Sequence, residues 1–164
     1  MVGILMFSTQ SSNAGATNQI LEIIAFRLHN QDFCVRTTAI REIRGWAPAT
    51  PLPHTPPDVL GVMNLRGTVI PIIDLARKLG MIKAEPNERS AIVVAEVHGM
   101  AIGLLVDGVS DILTIGQELL QPVPDISAAV SYADGIITYQ DSMICFLNLE
   151  RMFGEDEARM LSAA

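Results

Sequence analysis

Gly61–Gly80 reads GVMNLRGTVIPIIDLARKLG, and Gly135–Gly154 reads GIITYQDSMICFLNLERMFG. Laid one over the other, they run for twenty positions without a gap at a constant offset of 74. Gly61 falls on Gly135, Ile70 on Ile144, Leu75 on Leu149, Arg77 on Arg151 and Gly80 on Gly154. Upstream, Ile23–Ile43 lies over Ile92–Ile112 at an offset of 69, with His29 on His98 and Glu42 on Asp111. A longer loop in the second half absorbs the difference between the two offsets. Self-similarity at this long period, present twice, indicates a duplicated domain and not a solenoid.

Each copy reads as β-rich. In the first, Ile20–Leu28 is a β-branched apolar run, His29–Asp32 a polar turn, and Phe33–Arg36 the returning arm of a hairpin. Ala39–Arg44 continues as a short strand or turn. The five prolines between Pro48 and Pro57 exclude regular structure there, because each fixes φ and lacks a donor. Val59–Leu65 and Thr68–Ile73 form a second hairpin about Arg66-Gly67, where glycine takes φ > 0 without steric cost. Asp74 caps a short helix ending at Gly80. The second copy repeats the order: strand Ala91–Val97, a turn at His98-Gly99, strands through Val106 and Ile112, a loop with Pro122 and Pro124, and a hairpin turning at Gln140–Ser142. Asn148 takes the cap position, and a helix starts at Leu149, with helix-compatible sequence running on through Glu155 to Leu161.

Four or five short strands suffice for a small closed barrel. A unit of about 70 residues buries little surface alone, so the two should pack on each other. The expected fold is all-β, with two similar five-stranded barrels and short helices after the last strand of each and at the C-terminus. The expected division is a flexible arm over 1–18, a first barrel over 19–85, a second over 86–154, and a helix or tail over 155–164.

With 49% hydrophobic and 18% charged residues, the 164-residue chain has the composition of a folded domain, not of a disordered one. A net charge of −7 leaves no basic surface for phosphates, which disfavours nucleic acid and anionic membranes as partners. The opening MVGILMF lacks a basic n-region and runs straight into the polar STQSSNAGATN, unlike a secretory signal. No apolar run reaches the ~18–20 residues of a spanning helix, so the sequence predicts a soluble protein without membrane insertion. Cys34 and Cys145 lie in apolar runs without short Cys or His spacing. They are expected to be unpaired thiols in a reducing compartment.

Chemistry is sparse. His29 and His98 fall at equivalent hairpin turns, and His54 sits in the proline loop with no Cys or clustered carboxylate beside it. No serine has the setting of a nucleophile elbow, and Gly61–Gly67 lacks the Lys-Ser/Thr of a phosphate loop. Asp107, Asp111 and Asp125 read as solvated surface charge. No catalytic residue, metal or cofactor is expected. Two charges stand apart: Glu42 in AIREIRGW, between Ile40 and Ile43, and Arg66 at the hairpin tip in NLRG, beside a glycine that admits a close partner backbone.

At AIREIRGW, GVMNLRGTVIPIIDL and GLLVDGVSDIL the chain resembles the CheW family of bacterial chemotaxis coupling proteins. The match runs in order over about residues 20–154 and takes in the proline-rich loop. Cys34, where the family commonly has Gly, and Arg36, where a small or acidic residue or Pro is common, depart from it. The resemblance implies two five-stranded barrels. It also implies a non-catalytic cytoplasmic adaptor, recruited to membrane-associated arrays, that bridges the cytoplasmic tips of methyl-accepting chemoreceptors to the regulatory domain of a CheA-type histidine kinase. It places a receptor tip in a groove at Ile40, Glu42 and Ile43, with Asn64 and Arg66 on the adjacent hairpin and Val109 from the second barrel. Other readings are a coupling protein of a non-swimming chemosensory pathway and a small-ligand-binding double barrel. The latter requires a deep pocket with convergent polar groups.

Overall fold

In a computed structural model of the chain, residues 19–124 and 132–162 are described. The arm expected over 1–18 lies outside them. Eleven strands form two sheets: β1 (Ile20–Leu28), β2 (Gln31–Arg36), β3 (Ile40–Gly45), β4 (Val59–Leu65), β5 (Thr68–Asp74), β6 (Ala91–Val97), β7 (Met100–Val106), β8 (Gly108–Gly116), β9 (Leu120–Gln121), β10 (Ala133–Tyr139) and β11 (Ser142–Leu147). Three helices follow: α1 (Leu75–Lys78) after β5, then α2 (Leu149–Met152) and α3 (Glu155–Ser162) after β11. The run from Leu149 is divided into the two short helices expected after the last strand and at the C-terminus. Phe153 adopts an extended backbone at the end of α2 and buries its ring completely, and α3 starts anew.

The strand order is β8-β1-β2-β11-β10-β9 in one sheet and β3-β6-β7-β5-β4 in the other. The two-residue β9 is separated from β8 only by a 3-10 turn, Gln117–Leu119, so the first sheet has five substantial strands plus this continuation. Neither sheet follows the division at residues 85/86. The first joins the hairpin β1-β2 to β8–β11, and the second joins β3–β5 to the hairpin β6-β7. Each barrel is thus assembled from both repeats. The halves exchange their first hairpins, sealed by two parallel pairings, β11 on β2 and β5 on β7. The two repeats carry matching elements, but a repeat is not a barrel.

This exchange explains the unbroken apolar runs in β1 and β6. Successive strand residues face opposite ways. Leu21, Ile23 and Ala25 fill the interior of the first barrel, whereas Ile24, Phe26 and Leu28 join a larger core between the barrels. Likewise Ile92 and Val94 fill the second barrel, and Val93, Ala95 and Val97 face the shared core. Three cores result, and the two swapped hairpins are buried on both faces. Asp74 and Asn148 cap α1 and α2 alike, accepting from Arg77 and Arg151 backbone N–H groups.

All four tight hairpins turn at two residues with positive φ: His29-Asn30, Arg66-Gly67, His98-Gly99 and Gln140-Asp141. That geometry matches the right-handed twist of the flanking strands. The two turn histidines also clasp the barrels together. His29 Nε2 meets the Ile82 carbonyl at 2.7 Å, and His98 Nε2 meets the carbonyls of Glu150 and Phe153 at 3.0 and 2.8 Å. The repeated glycine has a steric reason. A Cβ on Gly135 would lie 2.5 Å from the Gln121 carbonyl oxygen, and one on Gly61, at φ +144, would collide with the Thr50 carbonyl. At each site the preceding loop touches its strand, as Thr50 with Val62 and Gln121 with Ile136.

Cys34 and Cys145 are free. They sit on adjacent strands, with Cys34 opposite Phe146 and Phe33 opposite Cys145. Alternation sends Cys34 into the first barrel and Cys145 toward the shared core, so the thiols point to opposite faces.

Candidate functional site

β3 is an edge strand, and one extra residue decides what it presents. The β3/β6 register shifts between Ile40 and Glu42: Ile40 pairs with Ala95, Glu42 with Val94 and Ile43 with Val93. Arg41 is the inserted residue of a bulge. In a regular strand Ile40 and Glu42 would share a face. With the bulge, Ile40 joins Ile43 on the side of the shared core, and Glu42 turns to the mouth of the second barrel.

At that mouth Glu42 meets Arg66 from the β4-β5 tip. Arg66 Nη2 donates to both carboxylate oxygens, at 3.1 and 3.2 Å, and Arg44 Nη1 stands 3.9 Å away. Across the tip, Asn64 Oδ1 accepts from the Gly67 N–H at 2.8 Å. Beside the pair lies a recess of about 200 Å³, lined with them by Arg41, Leu65, Thr68, Ile70, Val94 and Ala101. β3 and β4 are the two ends of the five-stranded sheet. The Glu42–Arg66 pair therefore ties the ends of that sheet where no ladder does.

On the other face, Ile40 and Val109 occupy equivalent repeat positions, and both pack against the shared core. β8 carries its own bulge, since Asp111 opposes Ala25 while Val109 opposes Phe26. Beyond them Ile43 and Ile112, again equivalent, stand 41% and 58% exposed on the edge strands β3 and β8. Ile112 is absent from the residues selected by sequence. The offset of 69 from Ile43 points to it. The structure thus brings Glu42, Asn64 and Arg66 together at the barrel mouth, and places Ile40, Ile43 and Val109 on the inter-barrel side of the same edge strand and its counterpart.

Nothing here resembles an activated nucleophile. Burial pushes the Cys34 thiol far up, with the neighbouring Cys145 adding to the effect, and burial also raises Cys145. Tyr132 is raised by burial and then by Cys145. Thiols held protonated are poor nucleophiles and metal ligands. Among the described residues no group of three or more His, Cys, Asp or Glu is placed to hold a metal ion, and no helix is long and apolar enough to cross a membrane.

Comparison with known proteins gives the geometry its context. The family model for the CheW-like domain matches residues 22–157. A probable chemotaxis protein CheW of Rhizobium etli is 49% identical over 94% of this chain and 98% of its own length. A chemotaxis protein CheW of Rhizobium meliloti is 51% identical over 86% and 92%. The crystal structure of scaffolding protein TtCheW from Thermoanaerobacter tengcongensis superposes with a TM-score of 0.80 at 28% identity, covering 87% of this chain and 99% of that one. Two sheets built from exchanged repeats, a charged hairpin tip on an edge strand and a family match across nearly all the described residues converge, and this chain belongs to the CheW family of chemotaxis scaffolding proteins.

Proposed function

We propose that this chain is a non-catalytic cytoplasmic adaptor that couples the cytoplasmic tips of methyl-accepting chemoreceptors to a CheA-type histidine kinase. The observation that carries the reading is the matched set of apolar residues on the two edge strands: Ile40 and Val109 packed on the shared core, Ile43 and Ile112 exposed beyond them. Glu42 and Arg66 flank it at the barrel mouth. A helical tip presents apolar side chains at i, i+3 and i+4, which suits a groove of this chemistry. Conserving backbone polarity is no obstacle, since a helix satisfies its own N–H and C=O groups.

The kinase contact is read from the pseudo-symmetry. Val69 and Met143 occupy equivalent places in the β4-β5 and β10-β11 hairpins, 59% and 68% exposed. Each barrel thus offers an apolar side chain near a hairpin tip to a similar barrel in the kinase regulatory domain. Such an adaptor makes and breaks no bonds. Its output is a coupling free energy of about 1–3 kcal/mol between receptor and kinase sites, arising from different affinities for their states. Individually weak contacts gain from avidity once an array forms.

The test is a binding titration of a receptor cytoplasmic fragment and, separately, of the kinase regulatory domain. Ile112→Lys is expected to weaken the receptor fragment at least about tenfold, with kinase binding little changed. Loss of neither, or equal loss of both, would overturn the placement of the receptor on these residues.

A further inference from the structure

One position of the repeat is filled in the first half and, among the described residues, open in the second. Ala84, in the linker between α1 and β6, is buried with Ile72 and Leu105, and Leu60 packs on the same cluster. Its N–H donates to Asp74 Oδ2 at 2.8 Å. The offset of 74 carries Leu60, Ile72 and Asp74 onto Asp134, Phe146 and Asn148, and the offset of 69 carries Arg36 onto Leu105. Asp134, Phe146, Asn148 and Arg36 all line one open groove of about 420 Å³. This groove is therefore the counterpart of the slot that the linker plugs. The described chain after α2 supplies no such plug, because it leaves as α3 and packs on β5 and β7.

We propose that the groove is a docking site for an extended peptide segment of a partner protein, carrying a small apolar residue next to a Lys or Arg. The small residue follows from the twin: Ala84 fills the first slot, and buried Val35, Phe146, Leu147 and Leu149 offer an apolar floor in the second. The basic residue follows from charge. Glu96, Asp134 and Glu150 line the groove against the single guanidinium of Arg36, which lies over the Phe146 ring at 5.2 Å. Arg41 and Arg151 answer Glu96 and Asp134, but Glu150 is exposed and makes no ion pair among the described residues. Asp134 where the first half has Leu60, and Arg36 opposite Leu105, turn a dry internal slot into a polar-walled groove, suited to reversible binding. Its lining shares no residue with the Glu42–Arg66 recess, so this site is additional to the proposed receptor contact.

The probe is a capped synthetic heptapeptide with the linker's own sequence, Met81–Asn87 (MIKAEPN), titrated into the full isotope-labelled chain and followed by amide chemical shifts. Saturable shifts are expected at Arg36, Ala39, Gly99 and Leu149. A peptide carrying Lys83→Glu should bind about fivefold or more weakly, as should Glu150→Lys in the protein. Thr38→Trp, at an exposed lining position, should abolish the shifts while the melting temperature stays within about 2 °C. Absence of saturable shifts at those amides up to millimolar peptide would overturn the proposal. So would shifts centred on Asp74 and Ala84, meaning displacement of the linker, or binding indifferent to Lys83→Glu, Glu150→Lys and Thr38→Trp.

Discussion

Arg66→Ala separates the two roles open to the ion pair, closing a sheet and meeting a partner. In the free protein the Arg66 side chain is 70% exposed and that of Glu42 26% exposed, so solvent screens much of their attraction. An exposed pair of this kind contributes about 0–1 kcal/mol. Removing Arg66 does not strand Glu42, because Arg44 remains 3.9 Å away. For a chain of this size a loss of 1 kcal/mol lowers the melting temperature by about 2–4 °C. At an interface that excludes water, loss of one partner of a charge pair costs about 2–5 kcal/mol, at least about thirtyfold in affinity. Arg66→Ala should therefore melt within about 4 °C of the parent while binding a receptor fragment or the kinase regulatory domain at least about tenfold more weakly. Scanning calorimetry and a binding titration on the same preparation check both halves. A fall of more than about 8 °C with unaltered binding would show that the pair is a seam of the barrel and not a contact for partners.

Other expectations follow from the packing. Gly61→Ala places a methyl on the Thr50 carbonyl at a φ of +144. It should cost about 3 kcal/mol or more in a urea melt, whereas Gly67→Ala, in open space, should cost less. His98→Ala leaves the carbonyls of Glu150 and Phe153 without their ring partner and should lower stability by about 1 kcal/mol in the same assay. The raised thiol of Cys34 sets a pH dependence. Its contribution is fully present below the unfolded thiol's pKa of about 8.5 and is lost as pH rises toward the higher folded value. Melting temperatures measured from pH 7 to 10 should fall toward the alkaline end, and less steeply in Cys34→Ala. An equal slope in both would remove Cys34 as the cause.

Much of the local structure was legible because it is local. The ungapped repeat predicted both late hairpins, both helix caps and the turn histidines from residue types alone. The exchange of hairpins was not legible. β1-β2 and β6-β7 form the same way whichever sheet receives them, and only distant pairings decide: antiparallel β1–β8 and β3–β6, and parallel β2–β11 and β5–β7. The apolar runs at IIAF and AIVVAEV did signal burial on both faces, without saying against what. The site shows the same limit. Glu42 and Arg66 could be read from their segments, but the face taken by Ile40 depends on a one-residue bulge, which leaves no periodic trace. Gly154, the counterpart of the helix-ending Gly80, carried the stop signal after α2, whereas the burial of Phe153 was not legible, because the shared core it enters is made only by the assembled barrels.

The exchanged hairpins also set the order in which the chain can mature during synthesis. Cys34 finds its partner Phe146 only after more than a hundred further residues have been made. Until then the emerging first repeat carries unsatisfied edges on β1, β2, β3 and β5, each shaped to receive a strand from the other repeat. Two nascent first repeats on neighbouring ribosomes hold what each other needs, so premature termination near residue 85 should yield a twofold-symmetric pair instead of a small monomer. Fusing the repeats in one polypeptide removes that hazard by keeping the correct partner tethered at high effective concentration.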